Sequence, residues 1–253
     1  MLLFLGAATL VGVGRGVPEL VERVRKHEYF RVRTLELEGN RRVSREQLLA
    51  WIGWEEDASV WDVDPKALQR RLAEHPWIHG ATVQRILPRR IRIQVRERRP
   101  VAMVHVNGSF QYLDRLGRVL GPLLPGEAPD LPVISGIDEF VDGDLSSVHV
   151  HRALQLLRIC DRLRCFDNIS QVQIGRKGLV VVPVRPKVAI VLGWTGLEEK
   201  LRRSARVFAH WEGRMDELRL VDVSFPRVAV LKLAPSQQAP GRRARPRPGR
   251  TEA

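Results

Sequence analysis

His149 and His151 stand two positions apart, and in an extended segment both rings would share one face of a strand, as two metal ligands do. No third or fourth ligand follows at a recognisable spacing, so the pair does not close a metal site. His75 and His79 flank Pro76-Trp77 and read as groups that cap or solvate that corner. Cys160 and Cys165, five apart in a predicted helix, point to different faces and make neither an easy disulfide nor a metal pair. They read as small apolar core residues. Asp62 and Asp64 are paired acids, but the second fits a helix cap and the first a solvated loop. Gly12, Gly14 and Gly16 form a G-x-G-x-G run that lacks the strand before and helix after that a dinucleotide site needs. There is no G-x-S-x-G, no cysteine with an obvious histidine partner and no phosphate-binding loop. The expectation is a protein without catalysis, metal, cofactor or small-molecule substrate.

The elements that carry these residues are read most clearly between Phe30 and Val101, as a β-α-α-β-β order. A strand over Val32–Glu38 closes at the turn pair Gly39-Asn40. Ser44-Arg45-Glu46-Gln47 has the spacing of a capping box, in which the hydroxyl and the amide side chain satisfy backbone groups at a helix start. A second helix opens at Asp64-Pro65, a capping residue followed by the residue that loses nothing at the first helical position. It carries Leu68 and Leu72 on one face and stops before Pro76-Trp77. Strands follow over Ala81–Ile86 and Arg90–Arg96. The second alternates Ile91, Ile93 and Val95 with Arg92, Gln94 and Arg96, so one face is buried and one is wet.

From Val101 onward strands and turns dominate. Val104-His105-Val106 leads through Asn107-Gly108 into Phe110–Leu113 and the turn Asp114 to Gly117. A Pro- and Gly-rich loop covers Gly121–Pro132. Val148–Leu163 reads as a helix with Leu156, Leu157, Cys160 and Leu163 near one face. Strands are expected near Ile169–Ile174, Leu179–Val184 and Val188–Leu192. Thr195-Gly196-Leu197-Glu198 reads as another capping box, opening a helix with Leu197, Leu201, Phe208 and Trp211 at helical spacing. Leu218–Ser224 and Arg227–Leu233 close the chain's folded part as strands around Phe225-Pro226. The run Val228-Ala229-Val230-Leu231 is apolar on both faces. That pattern fits an interior strand, and it fits equally a sheet edge whose unpaired backbone groups receive a partner strand.

Size and charge bound the rest. The 253 residues have room for two ordinary domains, and 44% apolar with 28% charged residues is usual for a globular chain. The formal charge of +13, from 42 basic against 29 acidic residues, raises attraction to an anionic surface or nucleic acid. Against nucleic acid, the arginines are spread over all elements and form no stripe, and the aromatic residues sit at core-like positions rather than on a stacking platform. Leu2–Gly14 is uncharged and mostly apolar. As a helix it reaches about 20 Å, short of the roughly 30 Å hydrocarbon core. It is read as the remnant of a membrane anchor (1–17), followed by a linker (18–29), with the start inside the original membrane helix. Ala234–Ala253 is Pro, Gln, Gly and Arg with almost nothing apolar and is expected to be a disordered basic tail.

The order Phe30-Arg31-Val32, Leu37-Glu38-Gly39-Asn40, Val60-Trp61-Asp62-Val63-Asp64, Pro76-Trp77-Ile78, Leu87-Pro88 and Glu97-Arg98-Arg99-Pro100-Val101-Ala102 resembles the POTRA domain of the bacterial FtsQ/DivIB cell-division family. Leu131-Pro132-Val133-Ile134-Ser135-Gly136, Ile169-Ser170 and Val221-Asp222-Val223-Ser224-Phe225 resemble that family's second, strand-rich domain. The resemblance spans Phe30 to Leu233. It implies an α+β chain with a POTRA domain (30–100) of β-α-α-β-β order, a mixed β domain with two helices (101–233) and an N-terminal transmembrane segment. The implied role is a non-catalytic divisome scaffold that recruits and links membrane division proteins at the septum. The bulk of the chain would lie outside the cytoplasm, anchored in the inner membrane. The implied partners are FtsB- and FtsL-like proteins, docking at Phe225, Arg227, Val228, Ala229, Val230 and Leu231. The POTRA edge near Val32–Glu38 or Arg90–Arg96 is a second expected docking surface. Two other roles are weighed: a POTRA-containing, chaperone-like envelope assembly factor, which would show tandem POTRA repeats and a β-barrel, and a basic adaptor for anionic polymer, marked by steep salt dependence.

Overall fold

A computed structural model describes residues 27–106, 108–137, 147–166 and 168–234, with Glu22 and Arg25 ahead of them. The apolar N-terminal run, the glycines within it and the basic C-terminal tail lie outside the described residues. Among the described residues no helix is long and apolar enough to cross a membrane. The described part is mixed α+β, and it divides into two compact units. The first holds the chain up to Met103 together with Ser109–Glu127, and the second holds Val104–Gly108 with everything from Ala128 on.

In the first unit β1 (Thr34–Glu38), α1 (Arg45–Ile52), α2 (Pro65–Ala73), β2 (Ile78–Ile86) and β3 (Arg90–Glu97) follow in the expected order. The sheet order is β1-β3-β2, with β1 parallel and β2 antiparallel to β3. Alternation on β3 explains the layering. Ile91, Ile93 and Val95 are buried and face Leu35 and Leu37 across the β1 register. Each fully buried aliphatic side chain of this kind contributes about 1.5–3 kcal/mol. The other face is a ladder of polar pairs, in which Glu36 takes Arg92 at 2.7 Å and Arg90 at 3.2 Å, and Glu38 accepts from Gln94 at 3.0 Å. These neighbours hold the Glu36 carboxyl below its usual range, the Arg92 hydrogen bond first among them.

Both helix starts form as the sequence predicts. The Ser44 hydroxyl accepts from the Gln47 amide and the Gln47 side chain accepts from the Ser44 amide, so the capping box is complete. Asp64 accepts from the Lys66 amide at 2.9 Å, ahead of Pro65. His75 caps the corner: its Nδ1 accepts from the Trp77 amide, and its ring stands edge-on to Trp51. One expectation is corrected. Arg90–Arg96 cannot offer a free edge, because β3 is the central strand; the outer strands are β1 and β2. The turn β5 (Ser109–Leu113) to β6 (Val119–Pro122) packs with this unit. Arg42 holds it there, its guanidinium 4.9 Å from both the Trp77 and Tyr112 rings and 2.5 Å from Glu127.

In the second unit the sheet order is β12-β11-β10-β9-β8-β7-β4. Its strands are β4 (Ala102–Val106), β7 (Val133–Ser135), β8 (Ile169–Gly175), β9 (Gly178–Pro183), β10 (Ala189–Gly193), β11 (Leu218–Asp222) and β12 (Val230–Leu233). Two β-α-β crossovers build it. The helix α3 (Val148–Leu163) links the parallel pair β7 and β8, and α4 (Leu197–His210) links the parallel pair β10 and β11. Ser147 caps α3, which buries Val150, Leu154, Leu157 and Cys160. Its first turn also settles His149 and His151. They lie on a helix, not a strand, with His149 against the Trp194 ring and His151 hydrogen-bonded to the Ser147 carbonyl. Cys165 lies beyond the helix end, past Arg164 in the left-handed region, so only Cys160 is a helical core residue. The capping box expected at Thr195 is absent. Gly196 is the N-cap, without a side-chain bond, and the Glu198 carboxylate turns instead to Arg162 and Arg202.

Two outcomes test the first unit. Gly39, at φ +89, lies so close to β3 that a Cβ would fall 2.0 Å from the Val95 carbonyl oxygen. Gly39→Ala is expected to cost about 2 kcal/mol or more of urea-measured stability, whereas Gly80→Ala, which meets open space, stays within about 0.5 kcal/mol. Burial pushes the His75 pKa below 6.5, against a smaller opposing pull from Glu97. The unfolded chain then takes up the His75 proton first, so stability is full above pH 6.5 and falls as the pH drops toward the lowered folded value. His75→Gln should flatten that limb of the urea midpoint against pH and leave the carboxylate limb at lower pH in place.

Candidate functional site

The six residues expected to meet a partner are Phe225, Arg227, Val228, Ala229, Val230 and Leu231. They lie in one continuous segment, from the turn after β11 into β12. Strand β12 pairs antiparallel with β11, Asp222 opposite Val230 and Val221 opposite Leu231, and nothing among the described residues pairs with its other side. Of the two readings of the apolar run, the edge is the one the sheet shows. The strand is shorter than the sequence suggests, starting at Val230 rather than Arg227. The reason is local: Pro226 has no N–H to give a ladder, and Arg227 takes a left-handed φ of 65°, which no strand residue holds. Phe225 and Arg227 therefore sit in the turn, Val228 and Ala229 in the lead-in, and only Val230 and Leu231 on the strand.

The backbone alternation shows which groups are unpaired. The Val223 amide donates to the Val191 carbonyl of β10, so Val221 and Val223 face β10 while Leu220 and Asp222 face β12. Asp222 and Val230 then form the hydrogen-bonded pair, and Leu231 directs its N–H and C=O away from the sheet. The side chains around this open ladder are apolar and exposed: Phe225 and Val228 at 53%, Val230 at 49% and Leu233 at 51%. Basic groups rim them, with Arg219, Arg227 and Lys232 all exposed. An edge with unpaired donors, an apolar flank and Arg227 and Lys232 beside it is equipped to receive an extended segment.

The turn is fixed from beneath by a side chain of α4. Arg203 of α4 donates through Nη2 to the Val223 carbonyl at 2.6 Å and the Phe225 carbonyl at 2.9 Å. Asp222 adds a side-chain bond to the Ser224 amide. Nearby, Lys200 donates to the Leu192 carbonyl at 2.8 Å, and burial lowers its pKa. No local pattern marks Arg203, because its partners lie 20 and 22 positions further on. Leu233 also flanks the edge, but it stands beyond Lys232 and so outside the apolar run Val228–Leu231.

The remaining candidates gather nothing. Among the described residues no three His, Cys, Asp or Glu side chains stand where they could hold a metal ion. Burial pushes the Cys160 thiol up to about 12, which leaves it protonated and inert at neutral pH. For the edge itself the expected outcome concerns Arg203. Arg203→Met should lower the opening free energy of residues 223–231 in native-state hydrogen exchange by about 1.5–3 kcal/mol, the worth of bonds to a charged donor, while α4 stays protected.

Comparison with known proteins agrees along the chain. The model of the POTRA domain, FtsQ-type, matches residues 30–98, and that of the cell division protein FtsQ/DivIB C-terminal domain matches residues 102–224. A cell division protein FtsQ of Syntrophotalea carbinolica is 29% identical over 212 residues, 81% of this chain and 75% of that protein. One from a Geobacter species is 29% identical over 238 residues, 90% of this chain and 85% of the relative. A cell division protein DivIB of Geobacillus kaustophilus is 36% identical over 111 residues, 44% and 41% of the two chains. With a POTRA module, a strand-rich second domain and relatives that match along most of its length, this chain belongs to the FtsQ/DivIB cell-division family.

Proposed function

We propose that the chain is a non-catalytic scaffold of the division machinery, recruiting and linking membrane division proteins at the septum. Family membership supports the division role. The observation that carries the mechanism is the β12 edge: a strand paired on one side only, its outward N–H at Leu231 and its apolar neighbours open to solvent. On this reading an extended segment of an FtsB- or FtsL-like partner adds as a further strand. Main-chain bonds supply affinity, the Phe225 and Val228 side chains supply anchors, and the basic rim selects an acidic partner. Phe225, Arg227, Val228, Ala229, Val230 and Leu231 form the contact. Strand edges β1 and β2 of the POTRA module are the second recruitment surface. The chain works from the outer side of the inner membrane, held by a single anchor ahead of the POTRA module and concentrated at the division site.

Proline substitution tests the edge with an internal control. Leu231→Pro removes an outward donor and leaves the β11 ladder intact, so it should weaken binding of an FtsB segment at least about tenfold with little change in thermal stability. Val230→Pro instead removes a bond to β11 and should destabilise the edge itself. Unchanged affinity in Leu231→Pro, measured by calorimetry, would sink strand addition at β12.

A further inference from the structure

A recess in the first unit is lined by Arg41, Arg96, Arg98, Arg99 and Arg115 and holds about 800 Å³. Five guanidinium groups face two acids there, and both acids are already engaged. Glu97 accepts from the backbone amides of Arg41, Arg42 and Val43 at 3.0 Å each. Asp114 takes Arg98 at 3.1 Å and the amides of Leu116 and Arg118 at 2.8 and 3.0 Å. Among the described residues Arg41, Arg96, Arg99 and Arg115 are exposed and take part in no ion pair, so a surplus of fixed positive charge lines a concave wall.

The rim adds an apolar element. Leu116 is 59% exposed at the tip of the turn that Asp114 ties together, between the exposed Arg115 and Arg118. A soluble anion has no use for that leucine. A lipid surface uses both features at once: guanidinium groups meet phosphates at headgroup depth while the aliphatic side chain enters the acyl boundary. We infer that this recess takes the phosphate of an anionic phospholipid, so that the first unit docks on a charged membrane face through Arg41, Arg96, Arg99, Arg115 and Leu116. This surface is separate from the β12 edge and does not rest on strand addition there.

Hydrogen exchange of the full chain reads the site locally, independent of other membrane contacts. Vesicles of 30% phosphatidylglycerol in phosphatidylcholine should slow exchange in residues 96–99 and 114–118, and pure phosphatidylcholine vesicles should not. In a variant carrying Arg96→Gln, Arg99→Gln and Arg115→Gln, whose chain ends are unchanged, the lipid concentration for half protection should rise about tenfold or more. Protection of the wild type should also fall away in about 0.5 M salt, a check that holds even where the variant folds poorly. Equal protection by phosphatidylcholine vesicles would overturn charge recognition. Equal protection by glycerol phosphate at matched concentration would overturn the lipid in favour of a free phosphate. No protection in any arm would overturn the site.

Discussion

The first unit turns on the approach of one loop to one strand end. Gly39 brings the backbone after β1 against the Val95 carbonyl, at a distance no residue with a Cβ could reach, and in a left-handed conformation that glycine adopts freely. That approach delivers three successive amides, of Arg41, Arg42 and Val43, onto the Glu97 carboxylate that ends β3. The arrangement is an anion nest filled by the chain's own side chain. From the same loop the Arg42 guanidinium reaches Trp77, Tyr112 and Glu127, and the residue just after β3, Arg98, pairs with Asp114. The Arg98–Asp114 side chains are 10% and 8% exposed, so removing either partner would strand a buried charge. The β5–β6 hairpin and the residues after it are thus tied down by two ion pairs, Arg98 with Asp114 and Arg42 with Glu127.

The second unit repeats the device and leaves a different end open. Gly136, after β7, lies as close to the Ile174 carbonyl of β8 as Gly39 does to Val95, and again a parallel neighbour follows from it. The crossover helices cover the sheet interior, which buries Val172, Val181, Ile190 and Val221. The last strand stays exposed at Val230, Lys232 and Leu233. β12 is four residues long and carries Lys232 and the nearby Arg227 and Arg219, features that discourage pairing between copies of a like-charged edge. Short length and these basic side chains work against self-association; on the proposed reading they also favour an acidic partner strand.

The parts of this fold that were legible share one property: their signals are local. The boundaries of α3 follow from Ser147 and an apolar face of regular spacing, and the helix observed, Val148–Leu163, is the one the spacing predicts. The Ser44–Gln47 box and the Asp64-Pro65 start were legible for the same reason. Thr195 failed because the helix starts one residue later, with Gly196 as its N-cap, which puts Glu198 at the second helical position rather than the third. The H-x-H pair failed because residues two apart share a face only in a strand, and Ser147 starts a helix there. The central place of β3 needed the β1 pairing, which no window of residues contains. Arg203 and the Arg42–Glu127 pair, 85 positions apart, were out of reach for the same reason. For the edge, the apolar pattern marked Val228–Leu231 and left interior and edge equal, while the family resemblance pointed to the edge and added Phe225 and Arg227. Sheet order decided between them.

Why such a site leaves so little mark follows from what recognition by an edge demands. The N–H and C=O that Leu231 turns outward are present in every residue but proline, so the main-chain part of the contact places almost no demand on residue type. Type matters only where a side chain stands beside the ladder, and there the demands are loose: bulk and exposure at Phe225 and Val228, positive charge at Arg227 and Lys232. The strict demands lie underneath, where Arg203 must reach two carbonyls and Arg227 must bear a left-handed φ of 65° to turn the chain into β12. On this view the residues that specify the docking edge are those that shape its backbone. Those that would touch a partner, on the proposed reading, tune affinity on a platform already formed.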